Sequence, residues 1–277
     1  MSPTLLRLAI GLAMAGSAAA LQAAPPSGTD VGSTARAASP PADAGAVPVA
    51  AIQPQAVAAL EKMGRYLRGL KSFGLKGDTL IEVVDEDGQK LQFPGTVEYQ
   101  VRTPDRLRLT VKTDRKQREF FYDGKTFTVY GPRNQYYASV DAPPTLHALM
   151  QVARDRYGIE LPLPDLFLWG TPEAPVSALT GARFVGPARI DGTVTEQYAF
   201  RQEGVDWQLW LEQGDQPLPR RLVITTTDDP AQPQYAANLT WDTRATFKDA
   251  TFAFVPPKGS ARIELVEVDV VAVTEDK

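Results

Sequence analysis

The stretch from Glu119 to Val140, EFFYDGKTFTVYGPRNQYYASV, alternates aromatic and polar residues around two turn signals, the pattern of three consecutive antiparallel strands. Asp123-Gly124 predicts a two-residue hairpin loop, because a type I′ turn needs positive φ at both central positions. Gly131 to Asn134 supplies the second reversal. The expected register sets Tyr122 opposite Lys125, Phe120 opposite Phe127 and Tyr130 opposite Gln135. One face then carries Phe120, Tyr122, Phe127, Val129, Tyr136, Ala138 and Val140. The other carries Glu119, Phe121, Thr126, Thr128, Tyr130, Gln135, Tyr137 and Ser139. The first face is the one expected to be buried. Aromatic side chains bury roughly 150–250 Å² each, so four on adjacent strands need something apolar opposite them. A packed core and a bound ligand both meet that need.

Upstream, the period of two begins near Phe73. Residues 80–84 alternate before the turn Asp85-Glu86-Asp87-Gly88, which lacks the later ligands of a calcium loop and reads as a hairpin tip. Val97, Tyr99 and Val101 follow. After Thr103-Pro104 the next strand sets Leu107, Leu109 and Val111 inward and Arg106, Arg108 and Lys112 outward. Before all of these, Val57, Leu60, Met63, Leu67 and Leu70 lie at helical spacing between Pro54 and Lys71. Downstream of Pro143-Pro144, Thr145 is placed to cap a helix with Leu146, Leu149, Met150, Ala153 and Tyr157 on one stripe. The only histidine, His147, falls off that stripe and is expected at the surface. The proline-broken run LPLPDLFLW, Leu161 to Trp169, is apolar enough to close over a sheet. Further strands are expected at 182–190, 194–200, 205–212, 220–227 and 235–246. The fold class is therefore α+β, mainly β: one antiparallel sheet of about ten or eleven strands, with helices inserted in two places.

The 277 residues begin with Arg7, an apolar run from Leu8 to Gly16 and Ala18-Ala19-Ala20, the layout of a cleavable signal peptide over residues 1–20. Residues 21–53 are rich in Ala and Pro and read as a disordered linker. The chain has no cysteine, which excludes disulfides and a lipid-modified cysteine. The expected protein is exported, soluble and without a lipid anchor. Loss of the leader removes Arg7 and no acid, so a net charge of −4 becomes −5. No nucleic-acid partner is expected from that balance. Catalysis is not expected either. There is no cysteine nucleophile, Gly-x-Ser-x-Gly elbow, histidine pair or phosphate-cradling glycine loop, and no metal or other cofactor is expected.

Four pieces together carry a resemblance: DGKTFTVYGPRNQ at 123–135, TPDRLRL at 103–109, DWQLWLEQGDQPLPRRLVI at 206–224 and FAFVPPKG at 252–259. The chain resembles the periplasmic lipoprotein carrier superfamily over about Pro54 to Arg262, and most closely its predicted periplasmic members of unassigned function. The resemblance implies a location in the periplasm and a strongly curved antiparallel sheet, an open half-barrel whose open side is covered by helices, with an apolar cavity between them. In such carriers the cavity holds acyl chains. The implied partner is a hydrophobic small molecule or lipid, or a lipoprotein. On this expectation the ligand-binding side chains are Leu107, Leu109, Phe120, Tyr122, Phe127, Val129, Tyr136, Trp207 and Leu209. The lid side chains are Leu146, Leu149, Met150, Phe167 and Trp169. Some superfamily members instead use the half-barrel to sense mislocalised lipids or lipoproteins and signal to a membrane partner, and this is the alternative reading. The carriers' lid arginine stands directly before the strand proline, where this chain has Thr103. Arg102, one residue earlier, points to the opposite face of a regular strand. The segment 263–277 alternates apolar and acidic residues as far as Val270 and is read as a tail able to add an edge strand or meet a partner.

Overall fold

The computed structural model describes residues 51–268; the expected leader, most of the linker and the end of the tail lie outside the described residues. Pro54 opens the first helix where its missing N–H is harmless. Helix α1 (Pro54–Gly69) then buries Ala56, Leu60, Met63 and Leu67 along one stripe. Six strands follow as successive hairpins: β1 (Ser72–Val84), β2 (Lys90–Arg102), β3 (Arg106–Thr113), β4 (Gln117–Tyr122), β5 (Thr126–Gly131) and β6 (Tyr136–Asp141). Two helices interrupt the β structure, α2 (Leu146–Tyr157) and α3 (Asp165–Leu168). The chain returns through β7 (Gly181–Ile190), β8 (Thr193–Gln202), β9 (Val205–Glu212), β10 (Pro219–Thr226) and β11 (Gln234–Asp242). It ends the sheet with the two-residue β12 (Ala261–Arg262).

All twelve strands form one curved open sheet in the order β12-β6-β5-β4-β3-β2-β1-β11-β10-β9-β8-β7. Its class is the one expected, with a short twelfth strand added. Pairing is antiparallel except between β12 and β6. The first long strand, β1, sits between β2 and β11 and joins the two halves. Strands β6 and β7 lie towards opposite ends of this order, so residues 142–180 between them must cross the sheet. They cross on its inner face, and that connection places α2, α3 and the proline-broken segment over the aromatic side chains.

Two turns differ from expectation. In the first, Tyr122 faces Phe127 and Phe120 faces Val129, so the loop is Gly124-Lys125 and not Asp123-Gly124. Asp123 spends its carboxylate on the turn, where Oδ1 accepts from the N–H groups of Lys125 and Thr126, and Gly124 takes φ of +90°. In the second, Tyr130 faces Tyr137 across a loop whose Gln135 has φ of +56°. Both partners move by two residues. An even shift leaves every side chain on its expected face, so the aromatic pattern survives the error in register. By contrast Asp191-Gly192 does form a two-residue loop, with φ of +48° and +81° between the paired Ile190 and Thr193.

The outer face of β4–β6 is not simply solvated. Phe254 lies 5.2 Å from Phe121, 5.4 Å from Tyr130 and 5.1 Å from Tyr137, ring centre to ring centre, and Phe121 and Tyr130 are buried. The segment after β11 thus returns over the sheet from outside. Arg102 holds it there, pairing with Asp249, donating to the Phe247 carbonyl at 3.2 Å and lying over the Phe252 ring. At the two sheet edges, Ile52 bridges Ala182 in parallel, and the tail runs on from β12. There Ile263 N–H donates to Tyr137, Val268 N–H donates to Arg156 and Glu267 pairs with Arg156 at 2.5 Å. The tail therefore ties the β6 edge to the last turn of α2.

Candidate functional site

The inner face gathers side chains from all the long strands. Leu107 and Leu109 of β3, Phe120 and Tyr122 of β4, Phe127 of β5, and Trp207 and Leu209 of β9 are all buried in one cluster. Val129 packs against it partly buried. Tyr136 lies outside the cluster and is half exposed, because it begins the short β6 where only the Gly131 and Ala261 backbones flank it. Of the expected lid residues, Leu149 and Trp169 are buried, and Leu146, Met150 and Phe167 pack against the cluster partly exposed. His147 stands at the surface, 3.5 Å from Glu173.

The lid is held by rings on one side and hydrogen bonds on the other. Trp169 stacks on Trp207 with centroids 4.9 Å apart, and Trp207 stacks on Phe200 at 4.2 Å. Phe167 stacks on Phe73 at 5.5 Å and meets Trp241 at 6.2 Å. From α1, one Arg68 nitrogen donates to the carbonyls of Phe167 at 3.0 Å and Trp169 at 2.7 Å. Burial, and then neighbouring Arg65, lower the pKa of Arg68, so its charge is placed there against both effects. Gly64 makes the approach feasible: a Cβ at that position would lie 2.3 Å from the Trp169 carbonyl oxygen. Further along, Thr145 caps α2 by accepting from Ala148 N–H, and the Leu146 N–H donates to the Pro104 carbonyl. Thr103 hydroxyl reaches the carbonyls of Leu70 and Lys71 at the end of α1, while Arg102 faces outward. The arginine that fastens this segment is therefore Arg68 of α1, whereas Arg102, before Thr103-Pro104, is spent on the outer segment at Phe247 and Asp249.

Arg68→Ala removes both of these hydrogen bonds while leaving the ring stacks in place. At about 0.5–1.5 kcal/mol per neutral hydrogen bond and more for charged donors, the segment 161–171 should lose roughly 2 kcal/mol of local stability. Amide hydrogen exchange will read this as a rise of more than tenfold in that segment, with β1 and β2 unchanged. An equal rise in sheet and lid would mean that Arg68 supports the whole fold rather than its cover.

Beneath the lid the apolar face is interrupted by a polar group that sequence reading did not single out. Tyr99 of β2 donates its hydroxyl to the Pro162 carbonyl. The Tyr235 hydroxyl of β11, Asp165 Oδ1 of α3 and Glu160 Oε2 are sealed from solvent without a hydrogen-bond partner. Asp165 as a whole residue is half-buried, and the enclosed oxygen is what matters electrostatically. Burial lifts its carboxyl to about 7, with Arg154 opposing and Glu160 adding to the rise. Glu160 is raised by burial against the pull of Arg154. Burial pushes up both phenols, and Tyr99 feels Tyr235 and Asp165 in turn. Strand alternation alone would have put Tyr99 and Tyr235 on the inner face. Only tertiary packing shows which polar atoms end there without partners.

Among the described residues there is no group of three or more His, Asp or Glu side chains placed to hold a metal, and no helix is long and apolar enough to cross a membrane. Comparison with curated proteins finds no match. Several solved structures are similar at low identity. Lipoprotein LppX of Mycobacterium tuberculosis is 14% identical, with 70% of this chain and 98% of that one covered and a TM-score of 0.45. LprF of Mycobacterium bovis is 15% identical, with 70% and 96% covered and a TM-score of 0.43. An uncharacterised conserved protein of Thermus thermophilus is 11% identical, with 76% and 99% covered and a TM-score of 0.42. A family model matches residues 56–266, nearly the span over which the motifs carried the resemblance, and this chain belongs to the family it describes, "Predicted periplasmic protein (DUF2092)".

Proposed function

We propose that this protein binds a hydrophobic ligand, a lipid or acyl chain, between the inner face of the sheet and its lid in the periplasm, and that it does so without catalysis. The observation that carries this reading is how the cover is attached. Among the described residues the lid has no backbone ladder to the sheet: it rests on ring stacks through Phe167 and Trp169 and on the Tyr99 hydroxyl at Pro162, and it is hydrogen-bonded to α1 through Arg68. Ring stacks of this kind are replaceable by an acyl chain laid on the same aromatic surface. At about 0.8 kcal/mol per buried CH₂, such a chain gains on the order of 10 kcal/mol before ordering costs, enough for retention through purification. The absence of cysteine from the chain supports a protein without a lipid-modified cysteine anchor.

A second reading, an envelope sensor or protein-interaction module, is favoured by one feature. Val185 and Val194 are exposed on the β7–β8 hairpin, and residues 51–53 cover the β7 edge only near Ala182 and Phe184. Mass spectrometry of the organic extract from protein purified out of periplasm without detergent separates the two, with an unrelated periplasmic protein as control. A stoichiometric lipid or other apolar molecule is the expected result. An empty extract from folded, monodisperse protein overturns the carrier reading in favour of the second.

A further inference from the structure

The ligand reading above leaves the polar atoms under the lid unused. Their placement is specific. Tyr235 and Trp207 flank Ile224 in one row across β11, β10 and β9, and Trp169 of the lid stacks on Trp207. Tyr235 is almost entirely buried within the apolar cluster, yet its hydroxyl has no partner. Asp165 is four residues before Trp169 on the same lid, and Tyr99 pins Pro162, three residues before Asp165, to the sheet. Glu160 adds a second enclosed carboxyl oxygen without a partner. Arg154 of α2 is the cation that acts on both carboxyls, and its Nε is engaged by Asp155 at 2.7 Å.

We propose that Tyr235, Asp165 and Glu160 form a polar subsite that receives the hydrogen-bond-donating, non-anionic end of an amphiphile, such as a hydroxyl, while its chain lies along the aromatic face. The proposal rests on the ligand reading above. A buried polar atom left unpaired is unfavourable, and a hydroxyl supplies both a donor for a carboxyl oxygen and an acceptor for the Tyr235 phenol. An anionic head would have to bury its own charge beside two enclosed carboxyl oxygens, with Arg154 already engaged by Asp155, so it is disfavoured. The subsite therefore selects by head group, whereas the aromatic face selects only for apolar surface.

The test uses the full chain and displacement of the fluorescent apolar dye 1-N-phenylnaphthylamine. Competitors are hexadecan-1-ol, hexadecyl methyl ether, which keeps the oxygen and lacks the donor, and hexadecanoate. The alcohol should displace the dye at roughly tenfold lower concentration than the ether or the carboxylate. In Tyr235→Phe, which removes one oxygen and little volume, and in Asp165→Leu, that preference should fall towards one while the ether competes as before. Equal competition by alcohol and ether in the wild type overturns the subsite and leaves hydrophobic binding intact. Retained preference in both variants overturns it as well. No dye binding, and no binding of any of the three chains, sinks the ligand reading and the subsite with it.

Discussion

Trp207→Ala is expected to lower the unfolding free energy by about 3–5 kcal/mol, a large share of the roughly 5–15 kcal/mol typical of a domain. Three causes add. The indole is 2% exposed, so its truncation leaves a void in the middle of the inner face. It is also the centre of a stack of three, with Phe200 at 4.2 Å on one side and Trp169 at 4.9 Å on the other, each pair contributing about 0.5–1.5 kcal/mol beyond area. Finally, its N–H donates to Gln202 Oε1 at 3.2 Å, which truncation leaves unpaired. Trp207→Phe keeps an aromatic surface under the lid and should lose less than half as much. Urea unfolding of both variants, followed through midpoint and slope, checks this. Equal losses in the two would show that the indole N–H matters more than the stack; a loss below about 1 kcal/mol for alanine would mean that Trp169 does not lean on Trp207 in solution.

The same stack shows what was legible in the chain and why. Inward and outward alternation is a property of the strand itself, so Leu107, Leu109, Phe120, Tyr122, Phe127, Trp207 and Leu209 were placed on their face without knowledge of any partner. Helix α2 was legible from Thr145 and its stripe for the same local reason. Register was not, because Asp123 has a second use: its carboxylate holds the turn from one residue earlier than a I′ loop would require. Tyr136 sits on the expected face but at the thin end of the sheet, where alternation continues and cover does not. Phe121 and Tyr130 were expected outside and are indeed outward, but Phe254 arrives from more than a hundred residues away to bury them. The clamp from Arg68 to Phe167 and Trp169, and the polar group at Tyr99, Tyr235 and Asp165, depend on chain crossings that no local pattern encodes.

Between pH 4 and pH 8 the protein should lose stability as pH rises, the reverse of the trend produced by ion-paired carboxylates. Asp165 has an ordinary value of 3.8 and is lifted to about 7 in the fold, chiefly by burial. Below about pH 4 the carboxyl is protonated in both folded and unfolded chains, and its contribution to stability is fully present. From there to about 7 the unfolded chain releases the proton while the folded chain keeps it. Stability therefore falls, and it levels off once the folded group has also ionised. The shift corresponds to roughly 2–4 kcal/mol after allowance for the partly exposed remainder of the residue. Glu160, also raised, adds in the same direction, and Arg154 opposes both. Tyr99 and Tyr235 are raised further and stay neutral throughout this window. Carboxylates held low, such as Asp249 beside Arg102 and Glu267 beside Arg156, lose their contribution only as pH falls below the ordinary carboxylate range. Asp165→Asn should match the wild type near pH 4, exceed it at pH 8, and retain only the shallower slope left by Glu160. Urea midpoints at pH 4, 5.5 and 8 measure this, and parallel curves for the two proteins would rule Asp165 out as the titrating group. Because Asp165 rides on α3, opening the lid rehydrates it and recovers the same free energy. Rising pH must then loosen residues 161–171 before the sheet, and hydrogen exchange that quickens equally in both would place the responsible group elsewhere.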